Sequence, residues 1–331
     1  MKLCIIIPAF NCQNTIEKAL FSIYNNLNFD NMITTIIVND NSTDNTSSII
    51  RNYINKYKHN IHLIENAKNL GAGGSRNVAL EYIYEGSDNY EYVFFLDSDD
   101  YYTAGFLNFF ANHIKNLPIE PDLVFFRFNY LKVNNSPYTP RFCPNFKSSY
   151  TNILTNNLFY SFGPCYRAYN FKFLINKRPL FGLSSNNDDV NFSITCILPS
   201  KCNYFLNKVG PIITRNINPF SLSMNLSSSG FYYKLNLLKS SIEEIKDTLT
   251  KYNIYNDELF SLIQLYLIKL FLSRKQIKYR AMEISSVLND TKNSILYVSM
   301  YHDTSIRNIY GCIKKPKPII KLISLILKII H

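Results

Sequence analysis

The chain of 331 residues is 47% hydrophobic and 18% charged, enough apolar material for a sizeable core, which excludes a disordered, collagenous or coiled-coil protein. Its seven cysteines are scattered and form no Cys-x-x-Cys pair, so neither a disulfide framework nor a thiolate zinc site is expected. The net charge of +11 sits mostly at the C-terminal end: residues 231–331 hold 16 basic and 8 acidic side chains, against 19 and 16 in residues 1–230. In chain order, the apolar run Leu3 to Ile7 is too short for the hydrophobic region of a signal peptide and reads as a buried strand, which predicts a cytoplasmic chain. Ile16, Ala19, Leu20 and Ile23 then recur at helical spacing. Thr35 to Val38 is the next strand, followed by a helix marked by Ile49, Ile50, Tyr53 and Ile54. Ile61 to Ile64, a helix from about Gly73 to Tyr84, and Tyr92 to Leu96 continue the series.

Strands alternating with helices of ten to fifteen residues imply crossover connections and a mostly parallel sheet. Ligands of such sheets sit beyond the carboxyl ends of the strands. Four polar clusters fall at that rim: Pro8-Ala9-Phe10-Asn11, Asn39-Asp40-Asn41-Ser42-Thr43-Asp44, Asn69-Leu70-Gly71 with Gly73 to Asn77, and Asp97-Ser98-Asp99-Asp100. Residues 122–220 are less regular and predict further strands and loops over the rim. From about Phe231 the pattern is helical, as in Leu259, Leu262, Ile263, Tyr266 and Leu267.

The strongest chemical signal is the strand Phe94-Phe95-Leu96 ending in three carboxylates within four residues. Like charges so close repel unless a cation offsets them. Mg²⁺ or Mn²⁺ prefers a few carboxylate oxygens together with phosphate oxygens and water, so this strand end suits a metal diphosphate. A turn and helix cap would explain one or two of the three aspartates. Asp40 is either a ligand for a base or ribose or a solvated turn residue, and Asp44 reads as a helix cap. Gly71, Gly73 and Gly74 permit close backbone approach, and the following helix start with Arg76 would favour an anion.

Taken together these clusters resemble the family 2 glycosyltransferases, through Ile5 to Asn11, Val38 to Asp44, Asn69-Leu70-Gly71 with Ser75-Arg76-Asn77, and Leu96 to Asp100. Gly163 to Arg167, Asp188 to Phe192 and Arg215 to Ser223 resemble the family's looser later motifs. The resemblance implies the GT-A nucleotide-diphospho-sugar fold, an α/β architecture, and sugar transfer with inversion from a nucleotide-diphosphate donor, most simply a uridine diphosphate sugar. By position, Pro8, Phe10 and Asn11 would border the nucleobase and Asp40 would accept from it. Asp97 would contact the ribose, Asp99 would hold the metal, and Ser98, Gly71, Arg76 and Arg215 would complete the donor site. A poor hydroxyl nucleophile needs a base, for which Asp189 is the first candidate and Asp188 the second. Both departures from the family pattern keep a carboxylate: Asn39-Asp40 replaces the usual Asp-Asp, and Asp188-Asp189 replaces Glu-Asp.

A sugar-phosphate nucleotidyltransferase would want a cationic Gly-rich loop after the first strand, where this chain has Pro8 to Asn11. A non-enzymatic protein binding nucleic acid or anionic lipid through its basic end would leave the aspartates unexplained. The expected organisation is therefore a catalytic domain over 1–230 and a basic helical region over 231–331. Within the latter, Ile319 to Ile330 is an amphipathic segment with Lys321, Ser324 and Lys328 on one stripe. It would bind the inner face of a membrane, where a glycan or lipid-linked acceptor is presented, or pack on the enzyme itself or on another subunit of a homo-oligomer.

Overall fold

The computed structural model describes residues 1–25, 32–57, 60–131, 136–139, 146–151, 163–182, 188–214 and 230–253. Two compact units are present: Met1–Asn152 with Ser161–Asn218, and Ile153–Tyr160 with Pro219–His331. In the first unit, the four apolar runs form β1 (Leu3–Ala9), β2 (Ile33–Asn39), β3 (Ile61–Glu65) and β4 (Tyr92–Phe95). These four strands are parallel and adjacent, in the order β3, β2, β1, β4. β1 is buried along its whole length, as expected of a central parallel strand with both faces covered.

Four helices connect and flank these strands: α1 (Ile16–Tyr24), α2 (Thr46–Lys56), α3 (Gly71–Glu85) and α4 (Phe106–Lys115). Leu3, Ile5 and Ile7 share one core with Ile16, Leu20 and Ile23 of α1, Ile50 of α2 and Phe106 and Phe110 of α4. Strand residues alternate faces, so Cys4 and Ile6 point to the other side, and α3 packs on β1 and β2 there.

Beyond β4 the sheet continues through β9 (Arg167–Asn170), β6 (Leu123–Leu131), β10 (Asn203–Thr214) and β5 (Tyr101–Tyr102). β9 is antiparallel to both neighbours, while β6 and β10 are parallel to each other. Six of the longer strands therefore point the same way, with β9 set among them in reverse. Short β7 (Pro137–Tyr138) and β8 (Ser149–Tyr150) pair antiparallel with β6 and β10. A single 3₁₀ turn, Pro164–Tyr166, leads into β9, and α5 (Phe171–Lys177) and α6 (Asp188–Ile197) follow it.

β4 shows why α6 lies where it does. Phe94 packs on Tyr102, Phe106, Phe110 and Phe126, whereas Phe95 on the opposite face packs on Tyr169, Phe181 and Phe192. Each buried phenylalanine contributes on the order of 2–3 kcal/mol by area. Phe192 is therefore an anchor that draws the N-terminal turn of α6 toward the strand carrying the aspartates.

In the second unit, α7 (Phe231–Lys251) buries Leu235, Leu238, Ile242, Ile245 and Leu249 at helical spacing. The pattern around Leu259 to Leu267 and the segment 319–330 lie outside the described residues.

Candidate active site

The loops after β1 and β2 are tied to each other. Asn11 takes a φ of 44°, donates its backbone N–H to Ser42 Oγ at 3.0 Å and accepts the Thr43 N–H on Oδ1 at 2.9 Å. Pro8 lies in β1 opposite Val38, and Phe10 stands 41% exposed at the rim. Asp44 accepts from the Thr46 N–H at 3.0 Å, but the N-cap position of α2 is Asn45, one residue later than the expected cap.

Asp40 is buried, and both of its carboxylate oxygens are engaged. Oδ1 accepts from the Leu70 N–H and from Asn66 Nδ2, each at 2.8 Å, and Oδ2 accepts from the Gly71 N–H at 2.8 Å. Backbone N–H groups at a helix start have no partner within the helix. A carboxylate from β2 supplies it here, and α3 therefore begins at Gly71, two residues earlier than the periodicity predicts. Gly71 takes a φ of 76°, which glycine adopts at little cost.

After β4, carboxylate oxygens of Asp97, Asp99 and Asp100 all lie within 4.8 Å of one another. Asp100 is buried and accepts the Thr214 N–H at 2.7 Å, and the Thr214 hydroxyl donates to the Asp99 carbonyl. Burial, followed by repulsion from Asp97, raises the Asp99 carboxyl to about 6 and pushes Asp100 up as well. Hard oxygen donors gathered so closely, with charge to spare, fit Mg²⁺ or Mn²⁺. Ser98 lies within the same turn.

Arg76 joins this cluster to α6. It is 4% exposed and its guanidinium reaches Asp97 Oδ1 at 2.6 Å through Nη2, and Asp188 Oδ2 at 3.3 Å and Asp189 Oδ1 at 3.1 Å through Nη1. Burial works against the cation, but the three carboxylates outweigh it and raise its pKa. Asp188 and Asp189 occupy the first turn of α6, where the helix dipole favours negative charge. Burial and then Asp188 raise the Asp189 carboxyl to about 8, against the lowering pull of Arg76. Asp188 is also raised, chiefly by burial. A carboxylate held near neutrality suits proton abstraction.

The structure thus gathers Asp97, Ser98, Asp99, Arg76, Asp188 and Asp189 into one site, with Gly71 and Asp40 at its α3 edge. Pro8, Phe10 and Asn11 share the same rim. Arg215 lies outside the described residues, one position after Thr214. Sequence reading missed Asn66 and Thr214, whose partners are 26 and 114 residues away and leave no local signal. It also missed the specific need for glycine at 73. A Cβ there would lie 2.6 Å from both Cβ and Oδ2 of Asp188 and 2.9 Å from the Gly182 carbonyl oxygen. Alanine in a helix gains roughly 1 kcal/mol over glycine, whereas overpacking costs about 1–3 kcal/mol. Gly73→Ala is therefore expected to lower the melting temperature and to displace Asp188, with at least a several-fold loss of turnover. An unchanged melting curve and rate would show that α3 and α6 tolerate separation.

The family model of Glycosyl transferase family 2 matches residues 4–176. The chain is similar to the minor teichoic acid biosynthesis protein GgaB of Bacillus subtilis, 35% identical over 127 residues that make up 37% of this chain and 13% of that protein. It is also similar to a poly(ribitol-phosphate) beta-glucosyltransferase of Bacillus spizizenii, 38% identical over 102 residues, 30% of this chain and 15% of that protein. The matched stretch is thus well under half the length of either relative. Among solved structures, S. aureus TarS 1-349 in complex with UDP-GlcNAc superposes with a TM-score of 0.64 at 20% identity, covering 87% of this chain and 81% of that one. At that identity the likeness establishes a common GT-A fold.

Proposed function

The chain belongs to glycosyl transferase family 2, and on that premise we propose that it transfers a sugar, with inversion, from a uridine-diphosphate donor to a hydroxyl of a surface-polysaccharide acceptor. The observation that carries this reading is the Arg76 bridge, which sets Asp97 of the strand-end cluster and the Asp188-Asp189 pair on two sides of one guanidinium. The relatives named for teichoic acid and poly(ribitol-phosphate) chemistry support a cell-surface polymer as acceptor class, and the TarS complex supports a UDP-sugar.

Pro8, Phe10 and Asn11 border the base, Asp40 holds the edge of that pocket, and Asp97 with Ser98 faces the ribose. Asp99 would hold a divalent metal, Mn²⁺ or Mg²⁺, which supplies charge neutralisation for the departing diphosphate. Arg76 keeps Asp97 and Asp189 in fixed relation, Gly71 keeps the backbone close, and Arg215 is the cation we assign to the diphosphate. Asp189 accepts the proton of the acceptor hydroxyl as it attacks the anomeric carbon, with Asp188 as the second candidate. An oxocarbenium-like transition state gains from a site so rich in carboxylates. A panel of nucleotide sugars tested for transfer and thermal stabilisation with Mn²⁺ present checks the reading. One UDP-sugar should bind at least ten times more tightly than the rest, and the absence of any stabilising nucleotide would sink it.

Among the described residues no helix is long and apolar enough to cross a membrane. We place the enzyme at the cytoplasmic face through Ile319 to Ile330 and the preceding Lys314, Lys315 and Lys317, each worth about 1 kcal/mol near an anionic surface. The full chain should sediment with anionic liposomes at low salt, and a truncated chain ending at Gly311 should stay folded and remain in the supernatant. Failure of the full chain to sediment would remove the membrane from the proposal.

A further inference from the structure

Arg167 is wholly buried, and among the described residues none of its three guanidinium nitrogens has a hydrogen-bond partner. Its guanidinium carbon lies 5.0 Å from the ring centroid of Phe125, the residue opposite it across the β6–β9 ladder. A buried cation left without hydrogen bonds is costly, and nearby anionic groups offset part of that cost.

The fold places that field. Alternation along β9 puts Arg167 on the same face as Tyr169, and Tyr169 packs on Phe192 of α6 at 5.2 Å between ring centroids. Along α6, Asp189, Phe192 and Cys196 fall on one helical face at i, i+3 and i+7. Arg167 lowers the Asp189 carboxyl and the Cys196 thiol, in each case against a larger upward push from burial. Arg76, meanwhile, is shared by three carboxylates, so one guanidinium in contact leaves the group net negative.

We infer that Arg167 is a positioning residue that acts through Asp189, its unpaired guanidinium supplying a fixed positive charge behind the carboxylate at the head of α6. The inference rests on reading Asp189 as the base. The charged and titratable groups that face Asp189 are Asp188 on its own helix, Arg76 on α3, Asp97 after β4, Arg167 and Tyr169 on β9, and Cys165 before it. Two of these are cations. Arg76 touches Asp189 but is divided among partners, while Arg167 has no other anion to serve among the described residues. Removing Arg167 leaves Asp188 and Asp97 less opposed, so Asp189 holds its proton to higher pH.

The test is a carbon-13 carboxyl titration of aspartate-labelled full-length protein, with the Asp189 resonance assigned through Asp189→Asn. Arg167→Met and Arg167→Gln should move the Asp189 midpoint up by a resolvable fraction of a pH unit, and Arg167→Lys, which keeps the charge, should leave it near the wild-type value. The ascending limb of turnover against pH should move with the resonance. An unmoved midpoint in a folded neutral variant overturns the inference, as does a lysine variant that shifts like the neutral ones. Loss of the fold in both neutral variants would assign Arg167 to the core and overturns it too. Retention of turnover by Asp189→Asn refutes the base reading instead, and leaves the resonance shift to be judged by itself.

Discussion

Asp189→Asn is expected to lower turnover by about 100-fold to 10,000-fold, the cost of a lost general base. Donor affinity should stay within a few-fold, because the contacts proposed for the nucleotide are made at the strand ends and not at α6. Asparagine keeps the shape and can still face Arg76, so the melting temperature should change little. Wild-type turnover should rise with pH as Asp189 loses its proton, with a midpoint near 8, since only the unprotonated carboxylate can accept from the hydroxyl. The variant should lose that limb. Near-wild-type turnover in Asp189→Asn, with a collapse in Asp188→Asn, would exchange the roles of the two residues.

The second large effect is on binding. Calorimetric titration of UDP in the presence of Mn²⁺ should give an affinity at least tenfold higher than in EDTA for the wild type, and equally weak binding in both conditions for Asp99→Ala. The reason is charge: three carboxylates whose oxygens lie within 4.8 Å repel a diphosphate unless a cation stands between them. Asp100→Asn is the informative control. Its Oδ1 is already taken by the Thr214 N–H, so its loss should disturb the end of β10 more than the response to metal. Equal UDP affinity in all wild-type and Asp99→Ala conditions would show that the cluster binds no cation of consequence.

Much of the parallel half was legible because its forces are local. Apolar runs of four to seven residues alternate with amphipathic helices, and the polar clusters mark the strand ends at which ligands are bound in such sheets. β9 was not legible, since Arg167-Ala168-Tyr169-Asn170 has neither an apolar run nor a polar and apolar alternation, and all four residues are buried. Its place depends on pairing with strands 40 or more positions away. The site divides in the same way. The aspartate triple and the Asp188-Asp189 pair stand out as charge patterns, whereas their union through Arg76 spans 112 residues and exists only in three dimensions. Asp40 reads as a base or ribose ligand or as a solvated turn residue, yet its oxygens hold the start of α3, because its contacts come from a loop 26 to 31 residues later.

The reversed strand also bears on how the chain is made. β1 to β4 can pair as soon as Phe95 has left the ribosome, but the outer edge of β4 has no neighbour until Asn170 appears, about 75 residues later. β6 emerges in between and cannot close the gap, because it meets β4 only through β9. At the usual elongation rates the interval lasts roughly 4–15 s. Throughout it the nascent chain presents an unpaired edge flanked by Phe94 and Phe95, the kind of surface that recruits stray strands. Sheet completion in this protein is thus paced by translation, and a slow codon run before residue 170 would prolong the period in which nascent chains can aggregate.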